Sequence, residues 1–320
     1  MIVSYHTSPV FISGLTHKLG SVRRDLSELK AADLIGNTVE DLAKNGYQFN
    51  RGAGKTEDLL SLAAAPFGAL LKSCPSPRAI VVHHSYGENA SLGRESEDQD
   101  LMSRATYFPA LLLRQFNVDH IPYFGSFASG CAGLLSLITL GAGVLGAAAD
   151  APVICLTADV RPKGMWFDAR REKILTSDAA SGFLMSREKN GFQVLGIDHY
   201  STGRRLVPLV EIVKRTVHMT RELAECAGVT SGLGEAVVHY PNIFPQAWDM
   251  VSGYLKVSPE RHIQDQLPER AHCLSSDSVI SLEKLHSGSD GRLHVVVNFG
   301  SGIQLGIGIL KEVQSHATAS

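Results

Sequence analysis

The sequence predicts an α/β fold made of two similar halves. Three observations carry that expectation: short β-branched runs bounded by turn formers, helical periodicity between them, and an internal duplication. The strand-like runs are Ala79 to His84, Val153 to Ala158, Gln193 to His199, Glu235 to His239, Leu293 to Asn298 and Gln304 to Leu310. Apolar residues at helical spacing fall between them, at Thr56 to Lys72, Tyr107 to Phe116, Ala132 to Ala149, Val207 to Ala227 and Phe244 to Leu255. No linker rich in Pro, Gly or Ser separates the parts.

The duplication emerges when AIVVHHSYGENA (79–90) is laid against EAVVHYPNIFPQA (235–247). Downstream, LLLRQFNVDHIP parallels SGYLKVSPERHI, SGCAGLLSL (129–137) parallels LSSDSVISL (274–282), and ADAPVICLTAD (149–159) parallels DGRLHVVVNFG (290–300). Four windows in one order indicate a pseudo-twofold αβ repeat. The halves are expected at 1–188 and 189–320.

Composition narrows the function classes. The chain has 320 residues, of which 44% are hydrophobic and 19% charged, enough to bury a large core. A formal net charge of -2 offers no global attraction to nucleic acid or to an anionic membrane. Five cysteines form no CxxC pair and no zinc-spaced cluster, and an odd number argues against a disulfide framework. No metal site is expected. The N-terminus MIVSYHTSPVFISG lacks the pattern of a signal peptide, and a reducing, cytoplasmic setting is expected. The apolar stretch Cys131 to Ala149 is broken by four glycines, which fits a tightly packed central helix better than a membrane span.

The segment FGSFASGCAGLLSLI places Cys131 where small residues turn into an apolar helix. A free cysteine is most often a small buried hydrophobe. A helix start, however, offers partial positive charge and free N–H groups, an environment that activates a thiol.

Four motifs in order resemble the thiolase superfamily, in its ketoacyl-ACP synthase III branch and acyltransferase relatives. They are ASGCAGLL around Cys131, TSDAASGFLMS (176–186), HYPN (His239 to Asn242) and NFGSGIQLGIGIL (298–310). The resemblance implies two pseudo-twofold αβ halves in five αβαβα layers, and acyl transfer through Cys131. It implies His239 as the proton-handling residue, and the N–H groups of Cys131 and Ser301 as an oxyanion hole. It further implies an acyl-ACP or acyl-CoA thioester donor with no tightly bound cofactor, a small-molecule acceptor, and a homodimer or a heterodimer with a homologue.

The sequence also departs from that family. Where the family places an asparagine that stabilises an enolate, this chain reads RAHCLSSDSVISL, with His272 at the asparagine position and Asp277 just inside the next helix. Two readings follow. Cys131, His239 and His272 would form a Cys-His-His set for decarboxylative condensation; alternatively Asp277 would orient a histidine, giving a Cys-His-Asp set for transfer to oxygen or nitrogen. The second is preferred, because a carboxylate beside imidazole raises its basicity and repels a developing enolate. A helix-capping role is the bland alternative for Asp277. The tryptophan segment that grips coenzyme A in the family is absent, favouring a carrier protein or another thioester as donor. The basic stretch VRPKGMWFDARREKIL, with Arg161, Lys163, Arg170 and Arg171, reads either as a cover over an acyl channel or as a solvated loop. The degenerate motifs also leave room for a non-catalytic partner subunit, and water as acceptor would make a hydrolase.

Overall fold

The computed structural model describes residues 1–91, 106–146, 151–204, 206–286, 291–300 and 302–314. In chain order come β1 (Ile2–Ser4), β2 (Val10–Leu19), β3 (Val22–Asp25), α1 (Leu26–Ala31), α2 (Val39–Lys44), β4 (Phe49–Gly52), α3 (Leu59–Ser73) and β5 (Ala79–His83). Next are α4 (Phe108–Gln115), β6 (Tyr123–Ser126), α5 (Gly133–Leu145), β7 (Val153–Asp159), β8 (Asp168–Ala169), β9 (Ile174–Leu175) and β10 (Ala179–Ser186). The rest is β11 (Gly191–Ser201), α6 (Leu209–Cys226), β12 (Val237–His239), α7 (Pro245–Leu255), β13 (His262–Ile263), α8 (Leu267–Arg270), α9 (Asp277–Leu285), β14 (Leu293–Gly300) and β15 (Gln304–Val313).

Local chemistry explains several of these boundaries. Asp58 and Ser61 close a reciprocal capping box that starts α3, and prolines in the first turn begin α4 and α7. Gly146 ends α5 with φ at +67°, a backbone state glycine adopts without strain. Every residue of β5 and of β7 is buried, as their unbroken apolar runs require of parallel strands covered on both faces.

Hydrogen bonding joins the main strands in the order β13-β12-β14-β15-β11-β2-β10-β7-β5-β6, with β1 beside β11. The seam is the antiparallel pair β2 and β11, where Ile12 faces Phe192 and Val10 faces Val194. Outward from the seam, the first set runs β2, β10, β7, β5, β6 and the second runs β11, β15, β14, β12, β13. Each set thus has its first, fifth, fourth, second and third strand in turn. This is the pseudo-twofold repeat that the duplicated windows predict.

The period of two along a strand distributes side chains between cores. Ile80 and Val82 of β5 join α3 and α4 in one outer core, while Val81 turns inward to α5. Likewise Val295 and Val297 of β14 meet α6 and α7, and Val296 turns inward to α9. The inner core, with Leu134, Leu135 and Ile138 of α5 and Val279 and Leu282 of α9, is shared by both sets. The layers are therefore helices, sheet, paired central helices, sheet, helices. Each large side chain buried there contributes about 1.5–3 kcal/mol. Among the described residues no helix is long and apolar enough to cross a membrane.

Candidate active site

The central helices α5 and α9 both start at the middle of the molecule, and each is preceded by one tight turn, Gly130–Ala132 and Leu274–Ser276. Cys131 lies in the first turn and is only partly buried. Gly130, at φ +48°, aims its carbonyl at two donors: His83 Nε2 at 2.8 Å and Ser275 Oγ at 3.0 Å. Burial holds His83 neutral, its pKa down to about 4, so Nδ1 accepts from Ser126 Oγ at 2.8 Å. A Cβ on Gly133 would fall 2.0 Å from the His83 ring, so only glycine lets the helix start this close. His83 thereby supports the turn that carries Cys131.

His272 arrives on a segment whose backbone is left-handed at Gln266, Ala271 and Leu274, three non-glycine residues in sparsely populated conformations. Its amide donates to Leu175 O at 3.0 Å, and its carbonyl accepts from Ser177 N at 2.9 Å. The ring is 2% exposed and donates from Nδ1 to Asp277 Oδ2 at 2.5 Å. The thiol of Cys131 lies close enough to the ring to act on its charge. Burial opposes its charge, but Asp277 and Cys131 outweigh burial and push it up to about 10.

Asp277 opens α9, yet its carboxylate is not a helix cap. Oδ2 also accepts from Asn242 N at 2.9 Å; Oδ1 accepts from Cys273 N at 2.9 Å and from the guanidinium of Arg270. Burial would raise this carboxyl, but His272 and Arg270 hold it down at about 2. The structure therefore brings Cys131, His272 and Asp277 into one row.

His239 lies elsewhere, which corrects its assignment as proton handler for Cys131. Its ring is fully buried, accepts at Nδ1 from Ser281 Oγ (2.9 Å), and donates from Nε2 to His294 Nδ1 (2.9 Å). His294 in turn donates to Glu312 at 2.9 Å. Both His239 nitrogens are thus committed behind the central layer, and burial with the adjacent His294 holds it neutral. The HYPN string contributes through its last member: the backbone N–H of Asn242 reaches Asp277.

Ser301 lies outside the described residues. Its neighbour Gly300 ends β14 against the turn that carries Cys131, where a Cβ would meet Ser129 O at 2.3 Å and the amide nitrogens of Cys131 and Ala132 at 2.9 Å. Asp178 is buried and accepts from Ala53 N and Arg161 N, each at 2.7 Å, which makes it a loop clamp. In the basic stretch Phe167 is buried beneath the Arg161 guanidinium, 4.4 Å from the ring centroid, while Trp166 and Met165 are exposed. The segment docks on the N-terminal region through Asp168, which accepts from Gly36 N and Asn37 N at 2.8 Å. The acidic segment 88–100 lies mostly outside the described residues.

Sequence reasoning missed Tyr86 and Arg270. Tyr86 lies near Thr176 and Cys131, and burial raises its pKa. Arg270 is 1% exposed behind Asp277. A lone arginine in RAHC carries no signal that its charge turns inward.

No family model and no curated protein matches this sequence. Solved structures do. The 3-oxoacyl-[acyl-carrier-protein] synthase III of Aquifex aeolicus superimposes with a TM-score of 0.74 at 15% identity, covering 94% of this chain and 99% of its own. The acyltransferase ChlB3 gives 0.75 at 17% identity, covering 96% and 98%. The type III polyketide synthase domain of Steely1 from Dictyostelium gives 0.73 at 11%, covering 95% and 99%. With the strand order and the central helix starts already in place, the chain shares the fold of these synthase III, acyltransferase and type III polyketide synthase structures.

Proposed function

We propose that the protein is an acyltransferase that carries an acyl group on Cys131 from a thioester, of an acyl carrier protein or coenzyme A, to a hydroxyl or amine of a small acceptor. The observation that carries this reading is the His272 ring bonded to Asp277 and close to Cys131. Nδ1–H to Asp277 fixes the tautomer, so Nε2 is the nitrogen that exchanges protons at the thiol. In the first half-reaction the Cys131 sulfur attacks the thioester carbonyl, the donor C–S bond breaks, and the proton on Nε2 leaves with the donor thiol. In the second, the acceptor gives its proton to Nε2 as its oxygen or nitrogen bonds the acyl carbon, and the Cys131 thiolate departs. We assign the Cys131 N–H to the oxyanion hole, with Ser301 as second donor on the family resemblance alone; Gly300, the residue before it, approaches the Cys131 amide closely.

Transfer is favoured over condensation by the same geometry. A Cys-His-His set needs a second imidazole at the thiol, and the His239 nitrogens are occupied by Ser281 and His294. The carboxylate behind His272 raises its basicity, which suits deprotonation of an alcohol or amine. The similarity to an acyltransferase and to an acyl-carrier-protein-dependent synthase agrees with the donor class. Intact-mass measurement after incubation with a panel of acyl thioesters tests the reading: a mass shift that Cys131→Ala abolishes is expected. A shift surviving in that variant, or carbon dioxide release with a malonyl thioester that Asp277→Asn leaves unchanged, would overturn it.

A further inference from the structure

Behind the proposed triad a row of charges continues to the surface. Lys284 Nζ, on a half-exposed side chain, lies 2.7 Å from Asp265 Oδ1; Asp265 Oδ2 lies 3.5 Å from Arg270 Nε; and the Arg270 guanidinium grips Asp277, which holds His272. The signs alternate from solvent to thiol. Asp265, Arg270 and Asp277 have side chains at most 7% exposed. Asn242 ties the row to the scaffold, since its side-chain amide donates to the carbonyls of Asp265 (2.9 Å) and Ala271 (2.8 Å) while its backbone N–H serves Asp277.

We propose that Arg270 is a positioning residue for the Cys131, His272, Asp277 set, and that Asp265 and Lys284 complete an alternating-charge ladder that keeps Asp277 an ionised acceptor while His272 loses and regains its proton. The proposal rests on the transferase reading for its catalytic meaning. A buried carboxylate facing a neutral imidazole would have only backbone N–H groups to offset its charge, and it would then draw a proton. Arg270 stays charged at every working pH, so it removes that need. A lone buried guanidinium would itself be costly; Asp265 shares it, and Lys284 balances Asp265. With His272 neutral, the four fixed charges sum to zero.

The other ionisable groups facing the pair are Cys131, Cys273, Tyr47 and Asp178. None of them belongs to the ladder, and blocking Cys131 removes the one that changes during turnover. The test is a pH titration of the His272 ring by NMR on protein labelled with 13C-histidine, with Cys131 carbamidomethylated by iodoacetamide. Removing a positive charge raises, and removing a negative charge lowers, the macroscopic midpoint of the His272–Asp277 pair. Arg270→Gln is expected to move it up by about one pH unit or more, Asp265→Asn down by about half a unit, and Lys284→Ala up by a smaller step. A merely structural role would not produce shifts of opposite sign. If Arg270→Gln does not fold, Asp265→Asn and the surface variant Lys284→Ala decide alone. Shifts that share one sign, or a midpoint unmoved in every folded variant, would overturn the ladder. The titration uses no acyl donor, so a chain never acylated by any thioester would overturn the transferase reading without touching this result.

Discussion

Asp277 accepts four hydrogen bonds through two oxygens, and that count separates orienting a base from capping a helix. Asp277→Asn is expected to leave acylation of Cys131 largely intact and to slow transfer from the acyl-enzyme by about 10²-fold, as single-turnover mass measurements would read. His239 predicts the contrary pattern. His239→Gln breaks a fully buried contact with His294 and Ser281, at a cost of about 1–3 kcal/mol in denaturant unfolding, while Cys131 in the folded fraction still acylates. Loss of acylation without loss of stability would return His239 to the active site.

Under the transferase reading, the end of β14 and the turn before α5 set the geometry at Cys131. Gly300 closes β14 within contact of the Cys131 amide, so an added methyl must push the strand end and the turn apart. Gly300→Ala is therefore expected to reduce the acylation rate by about 10²-fold or more, the scale of a lost oxyanion-hole donor. An unchanged rate would remove this loop from the oxyanion hole. At the sheet edge, β6 presents Tyr123 and Phe124 at 40% and 50% exposure, and Phe127 follows at 60%. An apolar strand edge of this kind is a pairing template. Pairing of two copies across it should give a species of about twice 34.5 kDa in light scattering, and Phe124→Lys should halve that mass.

Across the whole molecule, four buried histidines couple stability to pH. His83, His84 and His294 have pKa values lowered by burial from 6.5 to about 4, and burial also lowers His239 well below 6.5. The unfolded chain protonates these imidazoles near pH 6.5 and the fold does not. Between about pH 6.5 and 4 the unfolded state therefore binds more protons, and stability falls as pH falls, by about 1.4 kcal/mol per pH unit for each net proton. Asp159, raised to about 7, and Asp178, also raised, act the other way over that window, two groups against four. His272, raised to about 10, opposes this only above about pH 6.5, where the fold alone holds its proton, and Asp277, held at about 2, adds to the decline only as the unfolded carboxyl titrates near pH 4. Denaturant midpoints recorded from about pH 6.5 to pH 4 should decline; a rise would contradict the neutral burial of these rings.

The sequence by itself determined the fold class, the repeat and the candidate nucleophile. Runs such as VICLTAD and HVVVNF are apolar enough to be buried on both faces, and their order repeats in the two halves. It also held His272 and Asp277 in one short string. Strands β2 and β10 were not legible, because His17 and Lys18 in one and the small residues AASG in the other blur the strand signal. Only the tertiary structure decided which histidine meets Cys131. A motif fixes a position along a strand, whereas the partner of a ring depends on which strands and helices pack against it. In β12, that packing gives His239 to His294 and Ser281. The same limit hid Arg270: its charge is tolerated inside because Asp277 and Asp265 are folded around it, and no local pattern records that enclosure.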